Sequence, residues 1–315
     1  MIRNFIADGG RLKAAQPTDL PATIIWTDLL TPSVDEVHDV ETQLGIDVPT
    51  KEEMAEIEPS SRLYVEGDAL FMTATLPAKS QSEDPEIKPV TFILTGQCLV
   101  TVRHHEPQAF TTLPARAEKI AMGCTSGHDV LAALMDILVD RLADALEKKG
   151  HEIKGLSRTI FRRTARTGSF QDILDNIGEK GDTISGFYES LVSLERLLGF
   201  LRLNSQERKD LQERIETLAK DVTALAEHAE FLSQKVSFLL DATLGMINIE
   251  QSNITKIFSV VTVVFLPATL IASIYGMNFE HIPELKFAFG YPLALVAMVV
   301  AAILPYLYFK RRSWL

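Results

Sequence analysis

Two uncharged runs near the C-terminal end constrain this chain more than anything else in it. Residues Ile257–Tyr275 are 19 consecutive positions without a charge, 14 of them apolar. Phe287–Phe309 are 23 more, of which 20 are apolar. A hydrocarbon core of ~30 Å takes roughly 20 residues of helix, so each run is long enough to span. A core helix of a water-soluble protein keeps a polar face at this length, and neither run has one. The pair is therefore expected to cross a membrane as a helical hairpin. Arg3, Asp8, Arg11 and Lys13 interrupt the opening residues, so no signal peptide is expected there.

Charge placement orients the hairpin. Lys256 precedes the first run, while Lys310, Arg311 and Arg312 follow the second. The positive-inside rule then puts both termini in the cytoplasm and the short connecting segment outside. The whole chain has 315 residues and a formal net charge of −11. Setting aside the three C-terminal bases and the loop's two acids and lysine leaves a cytoplasmic part of 40 acids against 27 bases. Such an acidic balance argues against nucleic acid as a partner, because phosphate neutralisation needs clustered Lys and Arg. Cys98 and Cys124 are the only cysteines, too few for a disulfide framework or a Cys-rich zinc site.

The first ~120 residues read as α/β. Candidate strands are Thr23–Trp26, Leu63–Glu66, Leu70–Leu76, Val90–Thr95 and Leu99–Arg103, short and rich in β-branched or aromatic residues. Gly96-Gln97 between the last two is a hairpin signal. Thr31-Pro32 opens a helix with Val34, Val37, Val40 and Leu44 at helical spacing, ended by Gly45. A short helix is expected from Pro49, and Lys79–Pro89, polar with two prolines, reads as a loop.

From Asp129 the pattern becomes helical and stays so. One amphipathic helix is expected towards Arg166, a turn at Thr167–Ser169, and a second helix to about Leu203. Beyond it Leu211, Ile215, Leu218, Val222, Leu225, Ala229, Leu232, Val236, Leu239, Thr243 and Met246 alternate steps of four and three. That is a heptad seam, able to pack within the chain or between copies of it. No Pro stops this helix before the first uncharged run, and Gly245 is a weak point that helices tolerate. One helix of ~70 residues is expected to lead into the bilayer, about 100 Å long.

The fold class that follows is an α+β membrane protein. Residues 1–127 form a cytoplasmic α/β domain, 128–204 a helical hairpin, and 205–256 a stalk helix. Residues 257–315 hold the two transmembrane helices, the outer loop and a basic cytoplasmic tail.

The first run ends in Tyr275-Gly276-Met277-Asn278-Phe279, followed by Glu280-His281-Ile282-Pro283-Glu284-Leu285. As bare cap chemistry, Gly with Asn two residues on is an ordinary helix stop, since both tolerate positive φ. At these residues, and at Phe289-Gly290-Tyr291-Pro292 and Tyr308–Leu315, the sequence resembles the CorA family of bacterial magnesium transporters. Asn248-Ile249-Glu250-Gln251 and Lys256–Pro267 are similar to that family's junction between stalk and membrane. The chain departs from the family at Ile282, Thr255 and Leu266, where the family often has Met. The resemblance implies a homopentamer in the inner membrane with a long pore-lining stalk helix and Mg²⁺ influx, with Co²⁺ and Ni²⁺ as secondary ions. It also implies cytoplasmic acids that sense Mg²⁺ and hold the pore closed, though no particular residues match that role. No further cofactor is expected.

Physical chemistry is compatible with each of these implications. Two helices cannot enclose a water-filled path, so conduction requires an oligomer. Mg²⁺ dehydrates reluctantly and prefers octahedral oxygen ligation, so a site for the hydrated ion needs neutral oxygens facing its waters. Asn278 side-chain carbonyls with the backbone carbonyls of Gly276 and Met277 meet that need, and Gly276 has no Cβ to hold them off the axis. Thr255, Phe258, Thr262, Leu266, Thr269 and Ser273 recur at steps of three and four and share one helix face. In the family frame this face lines the pore, with Phe258 and Leu266 as apolar constrictions that gate by dewetting. A membrane hydroxyl can equally bond back to the carbonyl four residues earlier. Glu280 and Glu284 at the outer mouth would concentrate cations.

Other constellations carry less. The acid clusters Asp35-Glu36-Asp39-Glu41, Glu52-Glu53-Glu56-Glu58 and Glu83-Asp84-Glu86 read as solvated faces. His104-His105 on a strand point to opposite faces, which is wrong for a shared metal. Arg158, Arg162, Arg163 and Arg166 form a cationic helix end. No nucleophile triad, phosphate-cradling glycine loop or HExxH motif occurs, so the chain is not read as an enzyme. Two alternatives to the magnesium reading stay open: a zinc transporter of the ZntB type, and a non-conducting membrane-anchored coiled-coil scaffold or sensor.

Overall fold

The computed structural model describes residues 1–16, 23–82, 84–161, 169–205, 208–278, 287 and 289–312. Its contacts divide into two compact units, Met1–Leu240 and Asp241–Leu315.

The first unit opens on a hairpin, β1 (Ile2–Asp8) and β2 (Arg11–Ala14), turned by Gly9 and Gly10 at positive φ. Then come β3 (Ile24–Leu30), α1 (Val34–Leu44), α2 (Lys51–Met54), α3 (Pro59–Arg62), β4 (Leu63–Glu66) and β5 (Ala69–Ala78). After β6 (Glu86–Thr95) and β7 (Cys98–Arg103) the strands end, and α4 (Ala109–Ala117), α5 (Gly127–Phe161) and α6 (Phe170–Asn204) follow. The seven strands make one mixed sheet in the order β2-β1-β3-β7-β6-β5-β4. Among the described residues only β3 and β7 pair in parallel; every other neighbour is antiparallel.

Strand alternation assigns the two faces. Leu29, Phe71, Ile93, Val100 and Val102 cluster with Val40 of α1, Met54 of α2 and Val48 between those helices. The opposite face carries Trp26, Phe92 and Arg103, which meet Phe110 of α4. Both faces are thus covered, which is why the central strands are almost entirely buried.

The first helix is closed by chemistry that its sequence announces. Ser33 and Glu36 form a capping box, and Gly45 ends α1 in the left-handed region at φ 67°. Thr50 and Glu53 repeat the box on α2, in place of a start at Pro49. The expected packing face of α1 is narrower than its spacing, since Val34 is 84% exposed.

Three sequence expectations need correction. The hairpin β1–β2 has no counterpart among the candidate strands, because only Phe5 and Leu12 are buried in it and the alternation is weak. The loop placed at Lys79–Pro89 is shorter, because β6 already begins at Glu86 and pairs there with Ala78. Pro89 sits within that strand opposite Thr75 and has no N–H to give the ladder. Ser193 of α6 accepts from the Thr75 N–H at 3.0 Å and donates to its carbonyl at 3.3 Å. The helix α4, with Pro114 inside it, is a further element that the sequence pattern did not suggest.

Gly127 starts α5 where no larger residue fits. A Cβ there would lie 2.4 Å from the Leu99 nitrogen and 2.6 Å from the Cys98 carbonyl carbon. The Gly127 N–H donates to the Gln97 carbonyl, fastening α5 to the β6–β7 turn. The helix expected to start at Asp129 starts two residues earlier for this reason.

The last long helices are α7 (Lys209–Tyr275), 67 residues without a break, and α8 (Gly290–Arg311). Of the eleven seam positions, Leu211, Ile215, Leu218, Val222, Ala229, Leu232, Val236 and Leu239 are buried within the first unit, with Ala226 burying beside a half-buried Leu225. Small residues let the neighbours close in. A Cβ on Gly150 of α5 would lie 3.6 Å from Leu232, and one on Gly181 of α6 3.4 Å from Val236. Arg208 pairs with Asp129, Arg214 with Asp136, and Thr223 donates to Glu195. The seam therefore packs inside the chain, and up to Leu239 it leaves no apolar strip for a second copy.

Candidate functional site

Two helices, α7 and α8, are long and apolar enough to cross a membrane. In the second unit the side chains of both membrane segments are almost all exposed; Val260 and Ala294 are the buried apolar exceptions. Such a continuous apolar surface is not sustained in water and is what a hydrocarbon environment accepts.

Within the uncharged run Ile257–Tyr275 the protected positions of α7 are Val260, Val264, Pro267, Ala268, Ile271 and Tyr275. They fall on one face at 100° per residue. Thr255, Phe258, Thr262, Leu266, Thr269 and Ser273 are all exposed and centre roughly half a turn away on the opposite face. Phe258 and Leu266 are 69% and 65% exposed. The single chain thus leaves uncovered the one stripe that mixes hydroxyls with large apolar side chains.

The hydroxyls bond back along the helix. Thr255 donates to the Gln251 carbonyl, Thr262 to Phe258 and Thr269 to Phe265, each at 2.9 Å. Ser259, off the stripe, does the same to Thr255 at 2.8 Å, so the bond is general helix chemistry. It has a consequence on the stripe all the same. With the proton engaged inward, each oxygen presents lone pairs outward, as acceptors.

At the end of α7 the Gly276 N–H reaches the Ala272 carbonyl at 2.9 Å, and Met277 reaches Ile274 at 3.3 Å. Neither Gly276 nor Asn278 has positive φ, so the left-handed stop expected of this pair is not what ends the helix. A Cβ on Gly276 would make a tight contact, 3.2 Å from the Ala272 carbonyl oxygen. Gly276, Met277 and Asn278 are all exposed, consecutive to the stripe on the same helix. Glu280 and Glu284 lie outside the described residues.

Elsewhere several acids are occupied locally. Glu36 caps α1 and pairs with the N-terminal ammonium at 2.9 Å, and Glu41 accepts from Val48 N at 3.1 Å. Glu53 caps α2 through Thr50. Burial raises the Asp47 carboxyl above its ordinary range, with the negative charges of Glu41 and Glu53 adding to it. Burial would also raise Asp129, but hydrogen bonds from Thr125 and Ser126 and the charge of Arg208 outweigh it and hold the carboxyl low. His104 and His105 do not converge: His105 is buried with Nε2 2.7 Å from the Leu76 carbonyl. Among the described residues no group of three or more His, Cys, Asp and Glu side chains is placed to hold a metal.

The residue pattern gives no sign of an ionic network on the sheet. Arg103 on β7 grips Asp28 on β3 with two hydrogen bonds, Nε at 2.9 Å and Nη2 at 2.7 Å, both side chains 1% exposed. Thr101 donates to Asp28 at 2.9 Å and accepts from Trp26 Nε1 at 3.0 Å. The third guanidinium nitrogen donates to the His105 carbonyl at 2.8 Å. Its partners are 75 residues apart, so no local signal could have exposed it.

Comparison with known proteins bears on the whole chain. The family described as "CorA-like Mg2+ transporter protein" matches residues 21–311. The chain belongs to the CorA family. A Pectobacterium atrosepticum relative called "Magnesium transport protein CorA" is 38% identical over 306 residues, 97% of this chain and 96% of that protein. The fold agrees with a solved CorA from Methanocaldococcus jannaschii at TM-score 0.79 and 19% identity, covering 100% of this chain and 99% of that one. The cytoplasmic domain of a Vibrio parahaemolyticus ZntB is also similar, at TM-score 0.56 and 11% identity over 78% of this chain and 97% of that one. At that identity the likeness concerns fold alone. The α/β domain, long helix and paired apolar helices read from the sequence are those of the CorA fold.

Proposed function

We propose that the chain is a Mg²⁺ channel-transporter that admits the hydrated ion across the inner membrane, driven by the membrane potential. The observation that carries this reading is the exposed run Gly276-Met277-Asn278 standing directly beyond a hydroxyl-bearing stripe that the single chain leaves bare. Full-length relatives at 35–38% identity called magnesium transport proteins support the choice of ion.

Copies of the chain, five in this proposal, bring their stripes together around an axis, because one hairpin cannot close a water-filled path. Each Asn278 turns its amide oxygen to the inner-shell waters of Mg²⁺, joined by carbonyls of Gly276 and Met277. The ion keeps its waters, so no anionic cage is required. Below the ring the outward lone pairs of Thr255, Thr262, Thr269 and Ser273 accept from those waters, while Phe258 and Leu266 form apolar collars that drain when the pore narrows. Glu280 and Glu284 raise the cation concentration at the mouth. Both termini lie in the cytoplasm, where Mg²⁺ bound between acidic domains holds the pore closed. Co²⁺ and Ni²⁺ share the path.

The test is Mg²⁺ uptake into proteoliposomes under an inside-negative potential, comparing the wild type with Asn278→Ala. Uptake above protein-free vesicles that the substitution abolishes is the expected result. Flux equal to that of empty vesicles overturns transport and promotes the scaffold reading. Zn²⁺ uptake without Mg²⁺ uptake promotes the zinc transporter.

A further inference from the structure

The last turn of α8 carries Lys310 and Arg311, and Arg312 caps it. All three are exposed, and none forms an ion pair among the described residues. After Glu250 the sequence has no acid except Glu280 and Glu284 in the opposite loop. Helix-terminal cations interact favourably with the backbone carbonyls of the last turn, but that accounts for charge and not for placement. Arg312 is placed: its guanidinium carbon lies 5.7 Å from the centroid of the Tyr308 ring, one turn back. Tyr308 in turn meets Phe309 edge-on at 5.7 Å. A guanidinium resting on an aromatic ring loses less freedom when it binds, and its outer N–H groups match a phosphate in a planar, two-pronged way.

Beneath these cations the helix surface changes character within one turn. Leu304, Tyr306, Leu307 and Tyr308 are exposed, between 45% and 62%. Free phosphate would use only the basic end. A ligand that uses both needs an anionic head directly joined to hydrocarbon, with the join at the depth of the tyrosine ring. We infer that the end of α8 is a binding site for the phosphate headgroup of an anionic phospholipid, held by Arg311 and Arg312 against Tyr308 with its acyl chains along Leu304 and Leu307. The inference rests on the proposed reading only in placing this end at the cytoplasmic leaflet, where anionic lipid is found.

The test uses the full-length protein in detergent, with bound lipid counted by native mass spectrometry after exposure to phosphatidylglycerol or phosphatidylcholine. The wild type should retain phosphatidylglycerol roughly 25-fold more than phosphatidylcholine, since each of the two arginines contributes about a factor of five. Arg311→Gln with Arg312→Gln should remove most of that preference. Tyr308→Leu, which keeps every charge, should weaken it. Buried Trp26 fluorescence, read in a Trp314→Phe background, checks that each variant stays folded. Equal retention of the two lipids by the wild type overturns the site, as does a double variant with unchanged preference. Displacement by millimolar inorganic phosphate overturns the choice of a lipid as its ligand. Because lipid retention is read without any ion gradient, failure here leaves the transport proposal standing, and failure of Asn278→Ala to affect flux leaves this one standing.

Discussion

Removing Asp28 should unfold the first unit more easily than any other single truncation on its sheet. The carboxylate is 1% exposed and accepts three hydrogen bonds, two from Arg103 and one from Thr101. Asp28→Ala leaves a guanidinium that is itself 1% exposed with only the His105 carbonyl and the Phe110 ring, 4.6 Å from its centre, as neighbours. Breaking one side of a buried pair costs about 3–5 kcal/mol, chiefly because a charge remains where water cannot reach it. With a urea m-value of ~3 kcal/mol/M for a domain of this size, the unfolding midpoint should fall by roughly 1–2 M. Trp26 is fully buried and donates to the same network through Thr101. Its fluorescence in a Trp314→Phe background therefore reports on this core, with the full-length protein in detergent. The control is the double variant Asp28→Leu, Arg103→Met, which removes both charges at similar volume and should recover most of the loss. A midpoint within ~0.3 M of wild type for Asp28→Ala would refute the reasoning. A double variant as unstable as the single one would also sink it, since packing and not charge would then be at stake.

Gly127→Ala should destabilise the same unit by about 1–3 kcal/mol, because its Cβ would meet the backbone of Cys98 and Leu99, which cannot move aside like a side chain; an unchanged urea midpoint would count against the close approach. Gly276→Ala should reduce Mg²⁺ uptake while leaving the Trp26 unfolding midpoint untouched, and normal uptake would remove Gly276 from the proposed ring. Replacing Thr262 and Thr269 together by Val keeps shape but deletes two outward oxygens, so uptake should fall with no loss of protein from the membrane; full uptake would take the stripe out of the pore. Burial lowers His104, His105 and His128 below the ordinary histidine value. Protons are then taken up more readily by the unfolded chain, so stability is complete above pH ~6.5 and declines as pH falls through the range below it. His105→Gln should flatten that decline in urea midpoints measured from pH 7.5 to 5.5, and an unaltered slope would assign the acid sensitivity elsewhere.

The parts of the fold legible in the sequence are those that a short window of residues determines. Ser33, Glu36 and Gly45 bracket α1 because a cap needs only groups one turn apart. Gly96 turns β6 into β7 at φ 54° for the same local reason. The uncharged runs are legible because a bilayer imposes a length and a composition on every residue in it. What stayed hidden depends on partners distant along the chain. Pro89 looks like a loop residue until Ser193, more than a hundred positions later, hydrogen-bonds the strand opposite it. Asp28 and Arg103 look like surface charges until the parallel pairing of β3 with β7 sets them on one face of the sheet. Of the proposed site, the residue types and their shared face were readable, whereas the cause of the glycine at 276 was not. As a helix stop it implied a positive φ, which the structure does not have, and a Cβ there would stand 3.2 Å from the Ala272 carbonyl oxygen.

Helix α7 carries two stripes at the same three-and-four spacing, and their different fates bear on how an oligomer could be built. The seam from Leu211 to Leu239 is apolar and is buried inside the chain, where α5 and α6 bring Gly150 and Gly181 against it. The stripe from Thr255 to Ser273 has the same period but is bare. Periodicity alone cannot separate them, because it reports that a face is special and not what covers it. Composition can: four of six positions in the second stripe carry hydroxyls, which a lipid-facing surface has no use for, and all six positions are exposed. The exposed aromatic pair Phe231 and Phe238, at 57% and 59%, lies off the buried seam on the same helix. If copies associate through α7 as proposed, that pair and the bare stripe are among its exposed surfaces, and the heptad seam up to Leu239 is not. Phe231→Glu with Phe238→Glu should then weaken the oligomer in detergent as measured by light scattering, while Leu232→Glu should instead unfold the first unit. An oligomer that survives the first change and dissociates without unfolding on the second would mean that the seam, and not the exposed pair, joins the copies.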